Sequence, residues 1–395
     1  MITLRGLAKA SLSALSLLQV SPIGFAADDR PLRPARNYEA VELTLNGEHC
    51  RVNGIDAGAA VGTCNTPDRT AGRAFIWTKE TGVVDIGTLG GSSAGAGAID
   101  GRRVAGSSNT TGDAVSHVFS WTEEGGMLDL GTLGGDWAGA NGISGEAVVG
   151  DALTAAGDIH AYVWTPASGM TDLLTLASGT ESTAVAIHGD LIAGWSATQS
   201  SFFRRPVAWR TSGEMIDLVG DEDSGDGEAT AVRNGLVVGY RRIGQLSRAF
   251  GWRDDQGLID LGLVPGSIES FALDTDGRWV VGQLSGDITT GYSTRAFVWT
   301  ETNGIRAITP TSITARATHV RNGRVVGFYS SSQTNGSQVF LWTRRGGLVD
   351  VTPHDFPPGT MPAGIDAQGR IAVISSDEDQ FNIRSFVLIP KRLSH

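Results

Sequence analysis

Only two cysteines, Cys50 and Cys64, occur in 395 residues, so the chain admits one disulfide at most. Beyond the amino end no apolar run is long enough to span a bilayer. Basic residues are in deficit, with 31 Lys and Arg against 42 Asp and Glu and a net charge of -11. An acidic surface favours solubility and argues against nucleic acid or anionic lipid as partner. No 3.6-residue apolar period is sustained after the leader, so helices are expected to be nearly absent. Phosphate-loop, haem and metalloprotease motifs are missing, and no reaction class is marked by sequence.

What is present is a tryptophan that returns. Trp77, Trp121, Trp164, Trp209, Trp252, Trp299 and Trp342 stand 44, 43, 45, 43, 47 and 43 residues apart. A period near 44 means one supersecondary unit copied along the chain. Length alone suggests two or three domains, but a closed repeat array holds the same length in one. Ahead of the repeats, Arg5 and Lys9, the apolar stretch Ala10 to Val20 and the small-residue site Gly24-Phe25-Ala26 read as a secretory signal peptide. The expected organisation is a leader at 1–27, a linker at 28–37, a single domain at 38–390 and a tail at 391–395. The mature protein is expected to be secreted or periplasmic, without a membrane span, and monomeric.

Each copy contains four short segments rich in Val, Ile, Phe and Trp, separated by turns that contain Gly. The second segment recurs as Val61-Gly62, Ala105-Gly106, Val149-Gly150, Ala193-Gly194, Val238-Gly239, Val281-Gly282 and Val326-Gly327. The fourth recurs around Asp85, Asp129, Asp172, Asp217, Asp260 and Asp350, with Ile308 in a weakened copy. An eighth copy ends at Ser385-Phe386-Val387-Leu388, with Leu388 in the tryptophan position and no fourth segment. The missing piece is Val41-Glu42-Leu43-Thr44-Leu45, ahead of the first copy. A ring stitched from both termini removes exposed sheet edges, which an open stack does not need. The fold expected is all-β, an eight-bladed β-propeller of four-stranded antiparallel blades closed by the N-terminal strand. A β-helix or stacked β-solenoid is the alternative. The Asp-bearing segment is then outermost, the next segment, with small residues such as Ala94-Gly95-Ala96-Gly97-Ala98, is innermost, and the tryptophan lies on the third strand.

The pattern resembles the HAF family of bacterial extracellular repeats, named for a His-Ala-Phe tripeptide. The likeness rests on His160-Ala161-Tyr162-Val163-Trp164, Arg73-Ala74-Phe75-Ile76-Trp77 and Arg295-Ala296-Phe297-Val298-Trp299, and on Asp85-Ile86-Gly87-Thr88-Leu89-Gly90-Gly91 and Asp129-Leu130-Gly131-Thr132-Leu133-Gly134-Gly135. It covers the mature chain, although later copies lose the Gly-Gly. The resemblance implies a secreted repeat protein and no particular reaction.

Alternating strand direction sorts the connections onto two faces. Those joining strands one to two and three to four are tight. Those joining two to three, and four to the next blade, are long and polar, for example Ser107–Ser116, Ser196–Phe203 and Val219–Glu228. Function rides on loops held by a rigid scaffold, so the long-loop face is the candidate site. Trp137, outside the tryptophan series, follows Gly134-Gly135-Asp136 in a loop entering the ring. An indole beside an acid suits stacking on a sugar, and the bland reading is that it covers the adjacent blade. Trp137, Asp136, Glu181, Arg316 and His354 are the ligand-binding candidates. Trp195 and Trp279 read as packing, and His117 and His160, at equivalent repeat positions, as strand-end hydrogen-bonding groups. His188, His319 and His354 are single histidines without a recognisable partner.

The acidic run Gly220 to Glu228 offers Asp221, Asp223, Asp226 and Glu228 as oxygen ligands for Ca²⁺. The spacing misses the EF-hand pattern by one residue, and a solvated acidic loop is the plainer reading. Asp377-Glu378-Asp379 is a weaker run. Folding the first two strands about Asp56-Ala57-Gly58 sets Cys50 opposite Cys64, which predicts a cross-strand disulfide in an exported protein. Two buried thiols, or a zinc pair with His49, are the alternatives. Gly91-Ser92-Ser93-Ala94-Gly95 matches a nucleophile-elbow expression but sits between strands, where no strand-to-helix turn is expected.

Composition and motifs together favour a secreted binding or scaffold module that docks carbohydrate or protein on the long-loop face. The rival is a polysaccharide lyase or glycoside hydrolase at the channel mouth. It would need carboxylates about 5 to 10 Å apart, with Glu181, Glu228, Glu269, Arg316, His354 and Asp355 as the groups on offer.

Overall fold

The computed structural model describes residues 32–391 apart from 36, 67, 69, 177–178, 199–200, 221–225, 287–293, 335, 358 and 377–382. The expected leader, Asp221, Asp223 and the run 377–379 lie outside the described residues. Every regular element among the described residues is a β-strand. In the first repeat Glu48–Asp56, Ala59–Asn65, Gly72–Thr78 and Gly82–Asp85 pair in chain order, all antiparallel. The same meander recurs behind the inner strands Gly90–Asp100, Gly134–Ser144, Ser182–His188, Gly227–Arg233, Ser267–Thr275 and Thr314–Arg321. One parallel bridge, Trp137 to Ser116, fuses the second and third repeats into a single eight-stranded sheet. The architecture is a β-propeller, with the inner strands around a shared axial cavity.

The last repeat runs Met361–Ile365, Ile371–Ser376 and Ile383–Pro390, and its fourth strand is Tyr38–Glu42. Tyr38 stands opposite Pro390 and Glu42 opposite Phe386. The pairing segment is thus shifted from the expected 41–45, because the chain changes sheets at Leu43. The Leu43 N–H donates to the Ser385 carbonyl at 2.8 Å, its carbonyl accepts from Cys50 N–H at 3.1 Å, and Thr44–Leu45 then pairs with Glu48–His49. Arg384 fixes the seam. Its Nε and Nη2 each donate to one oxygen of Glu42 at 2.7 Å, the two-point geometry in which a guanidinium binds a carboxylate best. The expected linker is also partly structured. Ala35 N–H donates to the Asp350 carbonyl and Asp350 N–H to the Arg33 carbonyl, which lays residues 33–35 along the outer strand of the seventh repeat.

The core lies between repeats. One buried cluster joins Val149, Val163 and Leu173 of the third repeat to Ile192, Val207 and Trp209 of the fourth. Another joins Val52, Phe75 and Trp77 of the first repeat to Ala372, Val387 and Ile389 of the last. The recurring tryptophans do stand on third strands, with Leu388 in the equivalent place. Trp209 is fully buried and its indole N–H donates to the Leu173 carbonyl of the preceding repeat at 3.1 Å. A ring of that size fills the gap that opens as neighbouring sheets diverge from the axis. The recurrent second-strand glycine has a steric reason. A Cβ on Gly150 would stand 1.9 Å from the Gly139 carbonyl oxygen, so the inner strand approaches only a bare backbone. Cys50 and Cys64 are directly opposed and form the expected disulfide, with both residues buried.

Candidate functional site

At the long-loop face some strands run further than the sequence suggests. Second strands run into the expected loops, reaching Thr110 and Thr198 in the second and fourth repeats. Trp137 belongs to the inner strand Gly134–Ser144 and not to a loop, because Gly134 and Gly135 continue the strand past the turn. It is 38% exposed, and its ring lies across Gly139, where an added Cβ would meet Cζ2 at 3.0 Å. Asp136, next to it, lines a separate open depression with Val115 and the stretch 153–157, of which Trp137 is not part. Adjacent residues on a strand point to opposite faces, so indole and acid do not form one surface.

The other candidates stay apart. Glu181 is exposed, and its carbonyl accepts from Ala197 N–H. Arg316 lies within the inner strand of the seventh repeat and its Nε donates to Gln283 Oε1, with burial lowering its pKa. His354 is exposed in the turn after the outer strand of that repeat. No hydrogen bond or ion pair joins Trp137, Asp136, Glu181, Arg316 and His354 to one another among the described residues. Of the acidic run, Asp226 accepts from Arg204 N–H at 3.1 Å and Glu228 lies 3.6 Å from the Arg204 guanidinium. Burial raises the Glu228 pKa, and Arg204 opposes the shift. Among the described residues no three His, Cys, Asp or Glu side chains are grouped to hold a metal.

The repeat Asp and His have local duties. Asp129 accepts from Gly131 N–H at 2.9 Å and Asp172 from Leu174 N–H at 2.7 Å, turns that end the outer strand. His117 and His160 contact those same carboxylates at 2.8 and 2.9 Å. Ser93 lies within the strand Gly90–Asp100, and its hydroxyl accepts from Gly72 N–H, so the elbow motif is a strand. Trp195 is buried under Arg204, 4.2 Å from its ring, and Trp279 meets Trp342 edge-on at 5.7 Å.

A further gathering of charged and polar groups is at the opposite mouth. A cavity of about 320 Å³ is lined by the ends of the inner strands of every repeat. Its rim is knitted by side chains that hydrogen-bond to the next repeat's turn. Gly101 N–H donates to Asp56 at 2.8 Å, Gly145 N–H to Asp100 at 2.7 Å, Gly189 N–H to Ser144 at 3.0 Å and Asn234 N–H to His188 Nδ1 at 3.3 Å. Asn234 then donates to the Asp276 carbonyl, Gly323 N–H to Asp276 and Arg324 to the Ala367 carbonyl. The last link joins the final repeat to the first, from Gly58 N–H to buried Asp366 at 3.1 Å.

Inside that rim the wall is mostly bare. Register places Gly54, Ala98, Gly142, Ala186, Ala231 and Gly364 at one equivalent position. The sixth and seventh repeats place Asp274 and His319 there instead. Asp274 accepts from Val320 N–H at 2.8 Å and lies 3.6 Å from the Arg321 guanidinium. His319 and His188 are both pushed below the ordinary imidazole range, chiefly by burial, and Arg233 adds to the effect at His188. Both rings are therefore neutral near pH 7. Burial also lowers the Arg233 pKa, Arg321 adds to this, and Asp56, Asp274 and Asp100 oppose it, which locates all five groups around one space. By sequence His188 and His319 read as single histidines and Asp56 as part of a turn, because no motif joins these residues across the repeats. Aligning the copies on the glycine of the first turn is the signal that picks out Asp56, Asp100, Ser144, His188 and Arg233.

No protein-family model and no curated protein matches the chain. A solved structure from a study of two prolyl endopeptidases is 10% identical over 88% of this chain and 64% of that one, with a TM-score of 0.54. The β-propeller domain of the Trilobed protease from Pyrococcus furiosus is 10% identical over 78% of this chain and all of that one, TM-score 0.47. TolB from Acinetobacter baumannii is 10% identical over 64% of each chain, TM-score 0.37. At these identities what the chain shares with the first of these is a fold, and its function has to be argued from its own surfaces.

Proposed function

We propose that this chain is an exported binding module, an eight-bladed propeller closed by its amino-terminal strand, which docks a carbohydrate or protein on its long-loop face. The pairing of Tyr38–Glu42 with the last repeat, and the buried cluster shared by the first and last repeats, support the closed ring. The disulfide suits an oxidising compartment and supports export. The repeat pattern supports kinship with the HAF family and 38–390 as one domain, and the basic start, apolar stretch and small-residue site support residues 1–27 as leader.

One observation carries the choice of face. Seven large apolar side chains are exposed among the described residues, and five of them, Trp137, Leu174, Phe203, Ile243 and Met361, stand at the long-loop ends of their strands. Exposed apolar groups gathered on one face mark an interaction surface more than scattered ones do. Trp137 offers a flat indole with one side resting on Gly139. The test is a glycan array, with a panel of polysaccharides assayed for released sugar, on the exported protein and its Trp137→Ala variant. Binding that the substitution abolishes supports the reading. Sugar release without retained binding replaces it with the polysaccharide-active alternative.

A further inference from the structure

The axial cavity at the short-turn mouth lies at the other end of the channel from the proposed docking face, and its charges are sorted by side. On one wall Asp56 and Asp100, from the first and second repeats, each use only Oδ2 to hold a neighbouring turn amide. Their Oδ1 atoms have no hydrogen-bond donor among the described residues. Across the channel, Arg233 of the fifth repeat has no acceptor for its guanidinium among the described residues, although it feels Asp56 and Asp100 electrostatically. Beside it His188 accepts the Asn234 N–H at Nδ1, which leaves its proton on Nε2 as a donor. Arg321 and Asp274 largely neutralise each other at 3.6 Å. The rest of the lining is His319, Asn53, Asn141, Thr275 and small or aliphatic residues, and about 320 Å³ stays open between the two sides.

We propose that this cavity binds a small zwitterion, a free α-amino acid. Its carboxylate is held by the Arg233 guanidinium and the His188 Nε2–H, and its ammonium by the free oxygens of Asp56 and Asp100. A guanidinium matches a carboxylate at two points, and an ammonium suits paired carboxylate oxygens. A simple anion satisfies only one wall and meets Asp56 and Asp100 with like charge. A simple amine leaves Arg233 unpaired. The open volume leaves room for an amino-acid side chain along the axis.

Isothermal titration of the full-length exported protein with the twenty common α-amino acids tests the assignment, with propionate, propylamine and inorganic phosphate as controls. One or more amino acids should bind while all three controls fail. Arg233→Gln and Asp100→Asn, on opposite walls, should each weaken binding about tenfold or more. Asp100→Asn keeps the acceptor for Gly145 N–H, so its fold should be intact, and thermal unfolding of both variants checks this. Trp137→Ala should leave amino-acid binding unchanged, which separates this cavity from the docking face. Absence of binding by every amino acid overturns the proposal. So does binding of phosphate or propylamine at equal strength, or binding indifferent to both substitutions in folded protein.

Discussion

The two mouths of this propeller are built on opposite lines. At the short-turn mouth each repeat reaches into the next through a side-chain hydrogen bond, from Asp56 and Gly101 round to Asp366 and Gly58. At the long-loop mouth the strand ends carry exposed apolar groups and vary from copy to copy. The difference teaches that the short-turn face carries a link at every step round the ring, while on the other face the links between repeats, such as Gly72 to Ser93 and Arg204 to Asp226, and the exposed groups beside them are free to differ. A propeller whose sheets touch mainly through side chains needs such a fixed rim, since each core cluster is shared by only two repeats.

The largest expected effect tests the rim where the chain ends meet. Asp366 is fully buried and accepts from Gly58, Gln368 and Arg370 amides, with the Arg370 guanidinium at 3.5 Å. Asp366→Ala strands those donors and should cost about 3 to 4 kcal/mol in chemical denaturation. Asp100→Ala, at an exposed rim position with one amide to lose, should cost about 1 kcal/mol. Equal costs at the two sites would show that the seam is no more critical than any other link. Next in size is the disulfide. Replacing Cys50 and Cys64 together by alanine reopens a 14-residue separation and should cost about 3 kcal/mol. If the loss falls mainly on unfolding rate, the first repeat is an early point of opening.

Smaller, and dependent on pH, is the ion pair across the seam. The hydrogen bonds from Arg384 are the largest cause holding the Glu42 carboxyl below its usual range, with burial opposing them and His49 adding to the effect. A depressed carboxylate stabilises the fold fully above about pH 4.5, and the contribution is lost as pH falls through the folded value. Glu42→Gln should therefore cost about 0.5 kcal/mol at neutral pH, because the pair is partly solvated and screened. The difference from the unaltered protein should vanish under acid conditions. A cost that persists there would assign the effect to packing and not to charge.

Much of the fold was legible because it repeats. The tryptophan period gave the third strand, the Val-Gly pair the second, and the Asp the end of the fourth. The opposition of Cys50 and Cys64 was reached by setting Ile55 opposite Ala59, whereas Ile55 faces Ala60 and a bulge between Val52 and Gly54 brings the cysteines together. Other features were hidden for physical reasons. Val41 to Leu45 alternates like a single strand, and nothing in its side chains says that Leu43 bonds to two sheets at once. Trp137 looked like a loop residue because Gly134-Gly135 usually breaks a strand, whereas here the pair lets the inner strand continue beside Leu153. Asp274 and His319 occupy a position that is glycine or alanine in the other copies. A search for shared features discards such departures, although chemistry has to reside in them.

The smallest effect distinguishes the mouths by their response to acid. His188 serves the rim only while neutral, since Nδ1 must accept the Asn234 N–H. Burial first, and then the Arg233 charge, lower its pKa, and burial lowers that of His319. For a histidine so shifted, the unfolded chain binds the extra proton first as pH falls. Stability is therefore whole above about pH 6.5 and declines as pH drops through that value toward the folded one. The slope should be shallow because His188 keeps contact with solvent. His188→Gln, whose amide oxygen can take over the acceptor role, should flatten the slope between pH 7 and pH 5 in thermal unfolding. Trp137→Ala, on the other face, should leave it untouched. A slope unchanged by His188→Gln would move the acid response to His319, whose proton would then enter against the burial and the Arg321 charge and with help from Asp274.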